Sequence, residues 1–220
     1  MLKSRYSTSD SKLEAGIDEA GRGCLWGPLI ASAVIWPPEN TWSEEVRTIS
    51  GQIKDSKKVS PKKRAILRKA IESFAVSYAV GRVEAKEIDD LGATAANKLA
   101  FHRALRALNK KPERIVIDGI LSIEVEGAEM VIEPEADNKY IAVAAASILA
   151  KENHDDIVKT LCAEDISLSE KYDILSCKGY GTKKHRDGVL KNGMHSQHRK
   201  LYLRKLLGIT VERGGYGFAD

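Results

Sequence analysis

The amino-acid sequence predicts an α/β protein, a mixed β-sheet flanked by helices, with a C-terminal helical part from about residue 165. Three observations carry this. Two apolar segments come first, joined by a glycine-rich turn in hairpin order. Later apolar runs alternate with segments of helical periodicity, which makes the sheet mixed and not a pure βαβ repeat. Finally, Ala142, Ala144, Ala145 and Ala146 give one helix side chains small enough to lie close on a sheet.

Ala15 to Glu19 and Leu29 to Trp36 read as the hairpin strands, separated by Gly21, Gly23, Gly27 and Pro28 and closed by Pro37 and Pro38. A polar loop to Gly51 is expected next. Ser60 is an N-cap before Pro61, whose missing N–H costs nothing at the first helical position. That helix runs to about Ser73, with Ile66, Leu67, Ala70 and Ile71 on one face. Ala75 to Val83 is a strand, Glu84 to Leu91 a short helix, and Thr94 to about Asn109 a long one. Ile115-Val116-Ile117 forms a buried strand that ends at Asp118, and Met130 to Ile132 a strand at the sheet edge. Asn138 to Thr160 is a long helix, and Lys183 to Lys191 and Gln197 to Leu206 are two more. One domain is expected over residues 13–207, with 1–12 and 211–220 as flexible tails.

With 43% hydrophobic residues, 220 residues can bury a core without disulfides. Cys24, Cys162 and Cys177 form no C-x-x-C pair, so free thiols in a reducing compartment are expected, without a zinc or redox motif. Met1 to Lys12 lacks an apolar signal core, and no apolar run reaches the roughly 18 residues that span a bilayer. A cytoplasmic monomer without membrane contact is the expectation. The net charge of +4 is mild. Basic residues nevertheless cluster at Lys54–Arg64 and again from Lys178 to Lys205, which suits a polyanionic partner as well as a solvated surface.

Four acids sit where acids are unexpected. Asp18 and Glu19 fall in an apolar strand, Asp118 ends another, and Asp137 precedes the alanine-rich helix, where it can also serve as an N-cap. Adjacent strand residues point to opposite faces, so Asp18 and Glu19 share one site only from the strand end or through a bulge. Crowded carboxylates repel, and divalent cations remove that penalty. Two such ions about 3.5–4 Å apart suit phosphodiester hydrolysis. No G-x-S-x-G or H-E-x-x-H motif supports another chemistry, and His154, His185, His195 and His198, lying among charged residues, are read as surface groups.

Gly21-Arg22-Gly23 lets backbone approach a ligand closely, and the ribose 2′-hydroxyl is the natural target in a minor groove; a plain hairpin turn is the alternative. Lys57 and Lys58 are candidate phosphate contacts. Lys178-Gly179-Tyr180-Gly181-Thr182 offers a lysine and a ring that can stack on a sugar or base, or equally a glycine turn with a surface tyrosine.

Together these segments resemble the ribonuclease HII family. The resemblance rests on Gly16-Ile17-Asp18-Glu19-Ala20-Gly21-Arg22-Gly23, then Asp55-Ser56-Lys57-Lys58, then Ile117-Asp118-Gly119. Asp137 with Ala144–Lys151 follows, then Lys178–Thr182 with His185, and His198-Arg199. The ordered set implies a ribonuclease H-like fold with a type 2 ribonuclease H catalytic domain. It implies a metal-dependent endonuclease that cuts the RNA strand of RNA–DNA hybrids and incises 5′ to single ribonucleotides in duplex DNA, leaving 3′-hydroxyl and 5′-phosphate ends. Asp18, Glu19, Asp118 and Asp137 would be catalytic and would hold Mg²⁺ or Mn²⁺, two ions in the substrate complex. Gly21, Arg22 and Gly23 would read the 2′-hydroxyl, Tyr180 would pack on the next deoxyribose, and Lys57, Lys58 and Lys178 would bind substrate.

The sequence departs from the family's usual pattern at Trp26, at Glu152-Asn153-His154-Asp155 and at Leu201-Tyr202; none is a proposed ligand. Two rivals remain. One is a non-catalytic binder using only the basic surface. The other is a nuclease of the ribonuclease HIII type, whose extra N-terminal domain does not fit the dozen residues before the first motif.

Overall fold

The computed structural model describes residues 2–211, so the expected tail lies outside the described residues from Glu212 onward. Strand β1 (Glu14–Ala20) pairs antiparallel with β2 (Leu29–Ile35), with Asp18 opposite Ser32 and Glu19 opposite Ala31. Helices α1 (Glu44–Ser50) and α2 (Pro61–Phe74) follow, then β3 (Ser77–Val83), α3 (Ala85–Leu91) and α4 (Ala93–Arg106). Strands β4 (Arg114–Asp118) and β5 (Glu129–Glu133) lead into α5 (Ile141–Glu164). The sheet order is β3-β2-β1-β4-β5. β4 lies parallel to β1 and β5 parallel to β4, so the sheet is mixed and the Met130–Ile132 run sits at its edge, as expected.

Both sheet faces are covered, which explains why β2 is buried along its whole length. On one face Ala15, Ile17, Ala31, Ala33, Ile115 and Ile117 pack against Ala96, Ala100, Phe101 and Ala104 of α4. On the other, α2 and α5 close over Val34 through Leu67, Ile71 and the α5 alanines. The approach of α5 depends on Gly16: a Cβ there would overlap the backbone of Ala142 and Val143. The C-terminal part is α6 (Ser167–Tyr172), α7 (Ile174–Cys177), α8 (Lys183–Asn192) and α9 (Lys200–Leu207). Its separate core gathers Trp26, Val158, Tyr172, Ile174, Val189 and Leu203.

Local signals act as read at α2, where Ser60 Oγ accepts from Lys63 N and Pro61 is the first helical residue. Elsewhere the structure differs. The supposed polar loop to Gly51 contains α1, capped by Ser43, whose Oγ accepts from Val46 N at 3.2 Å. The long helix begins at Ile141, not Asn138, because residues 136–138 form a separate 3₁₀ turn. Residues 2–12, expected as a tail, are tied to the body. Lys3 N donates to Lys139 O at 2.8 Å and Ile141 N to Lys3 O at 3.0 Å. Buried Arg114 pairs with Asp10 at 2.6 Å and Glu14 at 2.7 Å. The three cysteines are buried and unpaired. Among the described residues no helix is long and apolar enough to cross a membrane.

Candidate active site

Strand alternation decides where the first two acids point. Ala15 and Ile17 face α4 and Gly16 faces α5. Asp18 therefore turns to the α5 side, beside Ser147, and Glu19 to the α4 side, beside Asn97. Parallel pairing of Ile17 with Ile117 brings Asp18 and Asp118 level at neighbouring strand ends. Asp118 Oδ1 accepts from Ala136 N at 2.7 Å, which fastens the 3₁₀ turn carrying Asp137 to the end of β4. Asp137 is not the N-cap of α5; that position is Tyr140, without a side-chain cap bond. Asp18, Asp118 and Asp137 each offer an oxygen, all within 4.8 Å of one another. Glu19 stands outside this trio, close enough to Asp118 to feel its charge.

Burial, then the charges of Glu19 and Asp118, hold the Asp18 carboxyl well above the usual carboxylate range. Burial, then Asp118 and Asp55, push Asp137 up to about 6. Burial also raises Glu19, against Arg22, whose Nη1 lies 3.4 Å from Oε1, and against the Asn97 amide. These residues fit a divalent cation: they are hard oxygen donors whose mutual repulsion and desolvation a cation relieves.

The expected substrate residues lie on the loop after β1, on the loop before α2 and in the C-terminal part. Arg22 and Gly23 are exposed at the loop after β1. Tyr180 lies beside that loop: Cys24 and Tyr180 form a β-bridge, Leu25 N donates to Gly179 O at 2.8 Å, and Tyr180 is 40% exposed. Lys57 and Lys58 are exposed; the charge of Lys57 acts on Asp137, and Lys58 Nζ donates to Asn138 Oδ1. Lys178 is half-buried; its charge is felt at Cys162, in the C-terminal core, and its carbonyl accepts from Cys24 Sγ at 3.3 Å.

Sequence reasoning missed the supports. Ser147 Oγ donates to Ser56 Oγ at 2.9 Å, joining α5 beneath Asp18 to the Lys57-Lys58 loop. Ser147, the lone hydroxyl in an alanine run, was the available signal. Asp55 lies against Asp137. Buried Arg199 donates to Gly27 O at 2.9 Å and Arg22 O at 3.0 Å, holding the glycine loop from behind. The surface reading of the histidines is corrected: His154, His185 and His198 are buried, and His195 is partly so. His185 Nε2 and His198 Nε2 lie 2.9 Å apart, and burial followed by His185 and His195 lowers His198 to about 3. His154, His185 and His198 are therefore core groups.

A family model described as Ribonuclease HII matches residues 15–205. The chain belongs to the ribonuclease HII family. A curated Ribonuclease HII from Parabacteroides distasonis is 41% identical over 191 residues, covering 87% of this chain and 90% of that protein. One from Prochlorococcus marinus (strain NATL1A) is 36% identical over 194 residues, covering 88% and 95%. Among solved structures, the ribonuclease H2 from Pyrococcus horikoshii OT3 superposes with a TM-score of 0.69 at 28% identity, over 88% of this chain and 96% of that one. The expected ribonuclease H-like fold is thus the fold observed. Membership in the ribonuclease HII family makes the chain a ribonuclease H, an endonuclease of the hydrolase class.

Proposed function

We propose that this ribonuclease H cuts the RNA strand of RNA–DNA hybrids and also incises 5′ to single ribonucleotides in duplex DNA. The products carry 3′-hydroxyl and 5′-phosphate ends, which suits ribonucleotide excision repair and RNA primer removal. The observation that carries the reading is the desolvated Asp18–Asp118–Asp137 trio, flanked by an exposed glycine–arginine loop and exposed lysines.

Asp18, Glu19, Asp118 and Asp137 would hold Mg²⁺ or Mn²⁺, two ions in the substrate complex. Once bound, they supply Lewis-acid polarisation of the phosphate and a water of lowered pKa. The chain's own residues place the substrate. Backbone at Gly21, Arg22 and Gly23 faces the ribose 2′-hydroxyl, which separates RNA from DNA. Tyr180 packs on the following deoxyribose, and Lys57 and Lys58 meet phosphate oxygens. Lys178, whose carbonyl also accepts from Cys24 Sγ, is a further substrate contact. In the reaction a water oxygen bonds to phosphorus, the bond to the 3′-oxygen breaks, and that oxygen gains a proton. The catalytic unit is the domain over 13–207, acting as a cytoplasmic monomer.

A duplex with one internal ribonucleotide tests the reading. Incision on the 5′ side of the ribonucleotide, with an extendable 3′ end, is expected in Mg²⁺ or Mn²⁺ and none in EDTA. A protein that binds this duplex without cutting it in either metal would be the non-catalytic binder instead.

A further inference from the structure

The glycine loop rests on a buried histidine that the chemistry above does not use. His154 lies on α5 with no exposed surface. Gly21 has φ +80°, and a Cβ there would come 2.6 Å from His154 Cδ2 and 2.7 Å from Nε2. The imidazole edge therefore fills the space a side chain would need. Its Nε2 also lies 3.8 Å from Cys24 Sγ, so one ring touches the loop on both sides of Arg22-Gly23.

The ring is itself held from below. Its Nδ1 is 3.4 Å from Asp155 Oδ1. Asp155 in turn pairs with Lys151 at 2.8 Å and Arg64 at 3.5 Å. Arg64 is buried, pairs with Glu152 at 2.8 Å, and donates to the carbonyls of Ser56 at 3.3 Å and Val59 at 3.0 Å. One turn of α5, residues 151–155, thereby links the glycine loop, the Lys57-Lys58 loop and, through Lys151 at 5.9 Å from the Tyr180 ring, the tyrosine. Burial keeps the imidazole in its neutral form, so it packs under the loop without bringing a charge to the site.

We propose that His154 is a positioning residue that sets the height of the Gly21–Gly23 backbone over the site, and with it the discrimination of ribose from deoxyribose. The inference rests on the reading that this loop meets the 2′-hydroxyl. Its physical basis is that a glycine loop has almost no stiffness of its own. Arg199 fixes it from behind, and the imidazole fixes it from beneath. Truncating the ring opens a cavity into which the loop sinks.

The test compares wild type with His154→Ala and His154→Gln. Cleavage of the single-ribonucleotide duplex is measured across a Mg²⁺ titration. Binding is measured in an Asp118→Asn background, for that duplex and for the all-DNA duplex of the same sequence. In His154→Ala, kcat/KM should fall on the order of tenfold or more, the penalty of a displaced contact. The preference for the ribonucleotide duplex should shrink toward none, with the half-saturating Mg²⁺ concentration unchanged. His154→Gln, a neutral planar side chain, should restore part of both losses. Gly21→Ala, strained at φ +80° and pressing on the same ring and on Pro28 O from the loop side, should also lose the preference even where His154→Ala folds poorly. Full preference retained by His154→Ala and Gly21→Ala overturns the role of His154 and leaves the functional reading standing. A wild type with no ribonucleotide preference overturns both.

Discussion

Asp137 shows how the site charges itself for a cation. Its carboxyl is raised by burial, then by Asp118 and Asp55, to about 6. A raised carboxyl means the native state holds the proton more tightly than the unfolded chain does. That stabilisation is complete below the ordinary carboxylate range and is lost as pH rises through about 6. The metal-free protein should thus lose stability across this window. Added Mg²⁺ should raise the melting temperature most above it, and half-saturating Mg²⁺ for hydrolysis should climb as pH falls below it, because binding must expel the proton. Thermal melts and Mg²⁺ titrations over that pH range check both statements; a Mg²⁺ requirement independent of pH would remove Asp137 from the ligand set. The same crowding predicts the effect of neutralisation. Asp18→Asn and Asp118→Asn should each lower hydrolysis by at least about 100-fold. Hybrid binding should survive or tighten, since a negative charge near the phosphates is gone. Near-normal turnover in either variant would refute its role.

At the scale of elements, what was legible followed from chain-local rules. The opposed directions of Asp18 and Glu19 follow from strand alternation, and the start of α2 from Ser60-Pro61. What was not legible depends on distant pairing. Nothing local says that β4 runs parallel beside β1 and sets Asp118 next to Asp18. His154 lies among charged residues and reads as exposed, yet Glu152 and Asp155 are buried too, because Arg64 arrives from another helix to pair with them. Helix α1 spans seven residues, too few for a periodic face to stand out. The junction of β1 and α5 carries the next prediction. Gly16→Ala would drive a methyl into the backbone of Ala142 and Val143, and neither strand nor helix can retreat without disturbing the sheet or the acid cluster. A loss on the order of 3 kcal/mol or more is expected in urea unfolding, at the upper end for overpacking, because the obstructing atoms are backbone. An alanine variant of wild-type stability would mean that α5 does not approach β1 this closely.

At the scale of the molecule, the chain folds around cores on both sides of the sheet and a third that reaches the site from the C-terminal helices. Trp26 joins the parts. It leaves the glycine loop, is fully buried among the C-terminal helices, and its Nε1 donates to His195 Nδ1 at 3.3 Å. Backbone bonds reinforce the seam: Gly27 N donates to Gln197 O at 2.9 Å and Arg199 N to Leu25 O at 2.8 Å. Trp26 thus forms the anchor of the helical part that presents Tyr180. Trp26→Ala should cost about 3–5 kcal/mol if the whole molecule unfolds as one unit. The separate cores predict a different distribution of that loss. Amides of α6 to α9 should exchange through a local opening, while those of β1, β2 and β4 keep most of their protection. Cleavage should fall with them, because the ring of Tyr180 and the glycine loop no longer hold a common position, whereas Mg²⁺ binding by the trio on β1, β4 and the 3₁₀ turn should persist. Hydrogen exchange and Mg²⁺ binding on the one variant separate these outcomes, and uniform loss of protection in strands and helices alike would show that the C-terminal part and the sheet fold as a single cooperative body.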